Sequence, residues 1–343
     1  MPKQQRVLYA NDARHFYLFA HEPPMAMEDA WRCVDDVAGT SVDTFVYMVQ
    51  RGDGLFYNSK VGKQFGSDMV DRGFWLVAFY RAWHNMKSLE ARGLDPLTVI
   101  IDRSHEKGMD FVASYRVNSY LGLEELVEFQ RSETDGALNQ PIAPGALAMP
   151  EVRAHQFAVL EELMTDYACD GLELDFGMLT EANALPEGMR PEELAPVLTE
   201  WVASVSAMAR KNGGILGARV HPTREGNMEL GIDVMAWIEL GLMDYLMPYK
   251  YGYFMLDSQP PIGWLIDACA DTDISVYGYC CAHPDGFAPP EPNRPLGTAI
   301  DSRGVLSESA AMRGGAANLW DMGVDGLMTW FARWPHGDIS HGP

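Results

Sequence analysis

Three stretches of this chain share one design, and that design restricts the fold more than any other feature. MTDYACDGLELDF (Met164 to Phe176), ELGLMDYLMPY (Glu239 to Tyr249) and WDMGVDGLMTWF (Trp320 to Phe331) each run from a helix end, through a Gly or Asp turn, into a short apolar strand. The same unit is read elsewhere. The first strand is either Arg6 to Ala10 (RVLYA) or Phe16 to Ala20 (FYLFA). The second to fifth are Asp43 to Val49, Phe111 to Asn118, Gly171 to Phe176 and Ile215 to His221. Asp244 to Tyr249, Ile274 to Cys280 and Gly326 to Phe331 complete the set. Helical stretches are expected at Met27 to Val37, Leu97 to Lys107, Pro150 to Ala168, Arg190 to Asn212, Ile232 to Leu240, Ile262 to Ala270 and Ser307 to Met322. Pro just inside a start (Pro96, Pro191) and Gly just past an end (Gly108, Gly213) punctuate them. Strands separated by helix-length crossovers pair in parallel, so the expected fold is α/β: a (β/α)8 TIM barrel, one domain over residues 1–343. The rival, an open doubly wound sheet, usually shows a GxGxxG or phosphate-cradling turn after an early strand, and none is present. The extended segment after the second strand, Gln50 to Arg81, is long for a connection, and ordered loops of that kind tend to be functional.

One strand breaks the apolar rule. In Gly171 to Phe176 (GLELDF), Leu172, Leu174 and Phe176 share one face, while Gly171, Glu173 and Asp175 share the other. Parallel strands are usually apolar on both sides. Burying an unpaired charge costs several kcal/mol, so these acids need cationic partners or a wet cavity. A sugar-sized site at a barrel mouth meets the second condition.

Lys plus Arg total 26 against 48 Asp plus Glu, a formal net charge of -22, which argues against nucleic acid or an anionic membrane as the main partner. No apolar run approaches the roughly 20 residues of a membrane span, and MPKQQRVLYAND lacks a signal-peptide core. The expected location is cytoplasmic as written, or secreted or periplasmic if a leader was removed. The five cysteines show no CxxC spacing and are read as small buried thiols.

Barrel active sites lie at the C-terminal ends of the strands. The polar and aromatic residues expected there are Arg116, Asn118, Glu173, Asp175, Arg219, His221, Tyr249, Tyr251, Tyr277, Tyr279, Trp330 and Arg333. Aromatic faces stack on sugar rings, and arginine or asparagine bonds hydroxyls or a carboxylate, so the expected partner is a carbohydrate. No cofactor is expected, and a homo-oligomer is left open.

DGLELDF resembles the fourth-strand motif of the chitinase clan. MPYKYG (Met247 to Gly252) resembles that clan's Met-x-Tyr segment, and GLMTWF its strand bearing a floor tryptophan. The fourth strand is also similar to that of the α-amylase clan: Asp170, Gly171 and Asp175 match, while Glu173 stands where an arginine would be. The whole is closest in character to the glycosyl-hydrolase-like family ten group. These resemblances imply a TIM-barrel glycoside hydrolase, with Asp175 as nucleophile under the amylase-like alignment. Gly177 occupies the position of the chitinase proton donor, so that clan's substrate-assisted mechanism does not carry over.

A second carboxyl is then required, about 5 Å away for retention or roughly 6.5 to 9.5 Å for inversion. Glu225, in the loop after the fifth strand (HPTREGN), is the first candidate. Glu173 is the second, but it sits one pleat deeper, roughly 7 Å along the strand, and suits a buried partner of Arg219 or Arg116 equally well. His221 is read as a substrate contact or a strand-end cap. Arg116, Arg219 and Arg333 add the expectation of an acidic sugar. Two rival functions stand beside the hydrolase. One is a metal-dependent sugar isomerase or aldolase using Glu173, Asp175 and His221, although paired HxH or DxH spacing is missing. The other is a sugar-binding barrel without catalysis, suggested by Gly177. The catalytic reading expects the Asp175 carboxyl to open into a solvent-filled hollow.

Overall fold

The repeated helix-turn-strand unit closes into a ring. The computed structural model describes residues 6–12, 18–51, 54–71, 73–74, 76–117, 145–177, 185–249, 255–256, 259–280, 283–284 and 309–330. In chain order the elements are β1 (Val7–Asp12), α1 (Met27–Asp35), β2 (Thr44–Met48), β3 (Gln50–Arg51), β4 (Gly54–Leu55), α2 (Val77–Glu90), α3 (Pro96–Glu106), β5 (Asp110–Arg116), α4 (Pro150–Thr165) and β6 (Gly171–Asp175). They continue with α5 (Pro191–Lys211), β7 (Ile215–Val220), α6 (Arg224–Met228), α7 (Val234–Glu239), β8 (Tyr245–Pro248), β9 (Met255–Leu256), α8 (Gly263–Cys269), β10 (Ser275–Tyr279), β11 (His283–Pro284), α9 (Ser309–Met322) and β12 (Gly326–Trp330). Strands β1, β2, β5, β6, β7, β8, β10 and β12 form a closed, all-parallel barrel in that cyclic order. The (β/α)8 expectation holds.

Local chemistry explains the boundaries. Asp95 caps α3 by accepting from the Leu97 and Thr98 amides at 2.8 and 3.2 Å, with Pro96 in the first turn, and Gly108 leaves the helix at φ 77°. Pro191 opens α5, and Gly213 at φ 79° follows it. Between its two rival first strands, the chain uses the RVLYA candidate, carried on to Asp12; residues 18–20 of FYLFA are not a strand.

Alternation sends each strand's residues to two apolar environments. Phe45, Phe111, Leu172, Leu174, Leu216 and Leu246 face outward into the helix layer. Leu8, Ala10, Val46, Met48, Val112, Met247 and Met328 fill the barrel with Tyr245, Tyr249 and Tyr277. Glu173 lies in register with Ser114 and Gly217, and Asp175 with Arg116 and Arg219. A one-residue slip of β6 would turn both acids into the helix layer.

The segment from Gln50 holds more structure than a loop. β3 and β4 pair as a small antiparallel ribbon, and the residues after them are pinned to α4 by the buried Glu162. That carboxylate accepts from Tyr57 Oη at 3.1 Å, Ser59 Oγ at 2.6 Å and the Lys60 amide at 2.6 Å. Cys33, Cys269 and Cys280 are buried free thiols, whereas Cys169 is only half-buried; Cys281 lies outside the described residues.

Gly217 is required by packing. A Cβ there would sit 1.9 Å from Tyr245 Cζ, because the Tyr245 ring crosses β7. Gly217→Ala is expected to displace the ring and lower stability by about 1–3 kcal/mol, read as the shift in urea unfolding midpoint.

Candidate active site

Ion pairing divides the barrel interior into two levels. At the lower level Glu173 and Arg219 are both fully buried. Glu173 Oε1 accepts from Arg219 Nε at 2.6 Å and Ser114 Oγ at 2.7 Å, while Oε2 accepts from Tyr245 Oη at 3.0 Å. Both carboxylate oxygens are satisfied. Burial works against the Arg219 charge, but Glu173 and then Asp175 outweigh it and hold the guanidinium pKa above its ordinary value. Burial, reinforced by Glu173, pushes the Tyr245 phenol well up, so it serves as a neutral donor. Of the roles open to Glu173, the geometry selects the buried partner of Arg219.

The upper level is built differently. Asp175 ends β6, and its Oδ1 accepts from the Gly177 amide at 3.0 Å. Its Oδ2 stands 3.5 Å from Arg116 Nε and has no hydrogen bond among the described residues. Arg116 Nη2 lies 3.6 Å from Asp12 Oδ2 at the end of β1. Both distances exceed hydrogen-bond range. Gln50, fully buried, donates from Nε2 to the Arg116 carbonyl, and its Oε1 also lacks a hydrogen bond among the described residues.

Asp175 itself is fully buried. The expected solvent-filled hollow therefore does not reach its carboxyl, because neighbouring groups cover it. Two residues further on, the Tyr249 ring packs so closely on Gly177 that a Cβ there would lie 2.5 Å from its Cδ1. The position matching the chitinase proton donor is thus closed by an aromatic ring. Tyr249 also meets Tyr279 edge-on at 4.9 Å between ring centres.

His221 is buried just past β7. Asn227 fixes its backbone from both sides, accepting from the His221 amide at 2.8 Å and donating to its carbonyl at 2.8 Å. Asn227 belongs to α6, which Thr223 caps by accepting from the Gly226 amide. HPTREGN is therefore largely helical, a correction to the loop expected there. Glu225 stands exposed in the first turn of α6, and no described hydrogen bond or ion pair ties it to Asp175 or Glu173.

Asn118, Tyr251 and Arg333 lie outside the described residues, and so does the side chain of Trp330, whose backbone pairs with Ala10. Sequence reasoning missed Asp12 and Gln50. Extending RVLYA by its own period of two would have placed Asp12 on the inner face. Among the described residues, no three His, Cys, Asp or Glu groups gather as a metal site, and both oxygens of Glu173 are engaged.

Fold and site together define a (β/α)8 barrel with a buried, charged strand-end cluster. The chain's structural neighbours are glycoside hydrolases. It is similar to the PgaB (BpsB) glycoside hydrolase domain from Bordetella bronchiseptica, with TM-score 0.54, 13% identity and coverage of 99% of this chain and 96% of that one. It is similar to α-L-fucosidase isoenzyme 2 from Paenibacillus thiaminolyticus, with TM-score 0.54, 13% identity and coverage of 98% and 47%. At such identity the likeness is one of fold. No protein-family model matches the chain, and no curated protein matches it.

Glu173→Gln leaves the buried Arg219 without its 2.6 Å partner. Such a change is expected to cost about 3–5 kcal/mol, measured by urea unfolding, whereas a catalytic role alone would leave the unfolding midpoint in place.

Proposed function

We propose that this chain is a glycoside hydrolase cleaving an oligo- or polysaccharide through Asp175. One observation carries the reading: Asp175 Oδ2 is a buried acceptor with no hydrogen bond among the described residues, at the strand end where barrels of this class perform chemistry. Buried acceptors without donors are rare, and they mark places where a ligand, ion or water completes the set. Sugar hydroxyls supply donors. Gln50 Oε1, on β3, is a second such acceptor, and its amide group is bonded to the Arg116 carbonyl.

In this reading Asp175 attacks the anomeric carbon while the Gly177 amide fixes its other oxygen. Arg116 orients the carboxyl, and Tyr249 offers an aromatic face to the ring. His221 is a substrate contact held in place by Asn227. Asp175 is fully buried, so a sugar reaches it only after the groups above it move aside. A neutral sugar fits better than an acidic one. Arg219 is engaged by Glu173, and Arg116 already faces two carboxyls.

That covered carboxyl and the closed donor position also favour a second reading, a barrel that binds sugar without cleaving it. Fold alone does not choose between them. A polysaccharide panel containing neutral and uronate members separates the two: product supports hydrolysis, and binding without product supports the alternative. Asp175→Asn keeps the Gly177 contact and leaves Arg116 facing Asp12, so it is expected to melt near the wild-type temperature. Its hydrolysis rate is expected to fall by about 10²–10⁴-fold, and undiminished turnover would remove Asp175 from the reaction.

A further inference from the structure

The reading above leaves one role unfilled, because Glu225 is exposed on α6 and Glu173 is consumed by Arg219, Ser114 and Tyr245. We propose that Asp12 is the second carboxyl of the reaction, the group that protonates the departing glycosidic oxygen. The inference rests on the glycosidase reading of Asp175.

Asp12 is the last residue of β1, and it is buried. By the alternation that sends Leu8 and Ala10 into the barrel, it faces inward. One guanidinium joins it to Asp175: Arg116 presents Nη2 to Asp12 Oδ2 at 3.6 Å and Nε to Asp175 Oδ2 at 3.5 Å. Two oxygens facing a single guanidinium at these distances stand no more than about 9.5 Å apart, an upper bound that includes the roughly 5–5.5 Å of carboxyl pairs that act with retention.

The contrast with the level below supports a reactive role. Glu173 and Arg219 make one close ion pair completed by two hydroxyl donors. Arg116 instead faces two carboxyls, with Nη2 3.6 Å from Asp12 Oδ2 and Nε 3.5 Å from Asp175 Oδ2. Three buried carboxyls, Asp12, Glu173 and Asp175, thus lie beside the guanidiniums of Arg116 and Arg219. Such a set is expensive as architecture and useful as chemistry. Gln50 gives the second, independent sign of a ligand: it is anchored to the Arg116 carbonyl, and its buried Oε1 has no hydrogen bond among the described residues.

The step balances without a co-reactant. An Asp175 oxygen forms a bond to the anomeric carbon as the bond from that carbon to the leaving oxygen breaks. The electron pair stays on the leaving oxygen, which takes the proton of Asp12. Water then attacks the same carbon, the Asp175 bond breaks, and Asp12 recovers a proton from the water. The net change is addition of one water across the glycosidic bond.

The test uses the full chain, with phenyl and 2,4-dinitrophenyl glycosides of whichever panel sugar the wild type cleaves. Dinitrophenolate leaves without protonation, and phenolate does not. Asp12→Asn is expected to slow phenyl glycoside cleavage by about 10²–10⁴-fold, to leave formation of the glycosyl-enzyme from the dinitrophenyl compound within about tenfold by burst kinetics, and to remove the alkaline limb of the pH profile. Asp12→Ala with added azide is expected to regain turnover and yield a glycosyl azide, a gain that a misfolded protein cannot give. Equal loss on both glycosides without azide rescue, or no loss, overturns the role of Asp12 and leaves the glycosidase reading standing. A wild-type chain that cleaves no member of the panel overturns both.

Discussion

The ion pair between Glu173 and Arg219 is the interaction on which the barrel interior depends. It spans adjacent strands at 2.6 Å, and Ser114 and Tyr245 complete it from the strands on either side. Four consecutive parallel strands, β5 to β8, are thereby tied from within by one polar cluster in a region that is otherwise Leu, Val, Met and Tyr. Breaking it by removing one partner strands a charge where water is excluded, which costs more than the intact pair contributes. Both oxygens of Glu173 are thereby engaged, whereas Asp175 Oδ2 in the level above has no hydrogen bond among the described residues.

Two glycines let the tyrosines of β8 take part. At Gly217 the Tyr245 ring fills the space a side chain would need, and this brings its hydroxyl to Glu173. At Gly177 the Tyr249 ring does the same beside Asp175. Neither glycine has a positive φ, so each is there for close approach and not for backbone freedom. Thus the missing side chain at Gly177 gives the Tyr249 ring its place against the backbone just past Asp175.

Most of the scaffold was legible because most barrel strands are short apolar runs entered through a Gly or Asp turn, a signal that survives in single sequences. The acids of GLELDF stood out for the same reason, as charges on a face that should have been apolar. What escaped had weak local signals. Helix α2 has no side-chain cap at Leu76 and no acidic residue in its first turn, so its start, Val77 to Arg81, was read as the end of the long connection from Gln50. Asp12 escaped because two rival first strands left the end of β1 undecided. Gln50 was read as the start of a connection, although its side chain is buried against Arg116. Glu225 was favoured for its place after β7, but the Thr223 cap and the Asn227 clamp turn that segment into a helix that leaves its carboxylate in solvent. Those contacts depend on tertiary position, which alternation and spacing do not encode.

Two buried arginines in one barrel, treated so differently, separate architecture from function. Arg219 has a close carboxylate partner, and Glu173 and Asp175 together hold its charge against burial. Arg116 has carboxyl oxygens at 3.5 and 3.6 Å, close enough for strong Coulomb attraction in a low-dielectric interior but too far for hydrogen bonds. A barrel selected for stability alone would close those gaps or replace all three groups with apolar side chains, which is often neutral or favourable. A guanidinium midway between two carboxyls orients both while leaving their oxygens able to accept or give a proton. The acceptors on Asp175 and Gln50 that lack a hydrogen bond among the described residues suit the proposed ligand, one rich in hydroxyl groups.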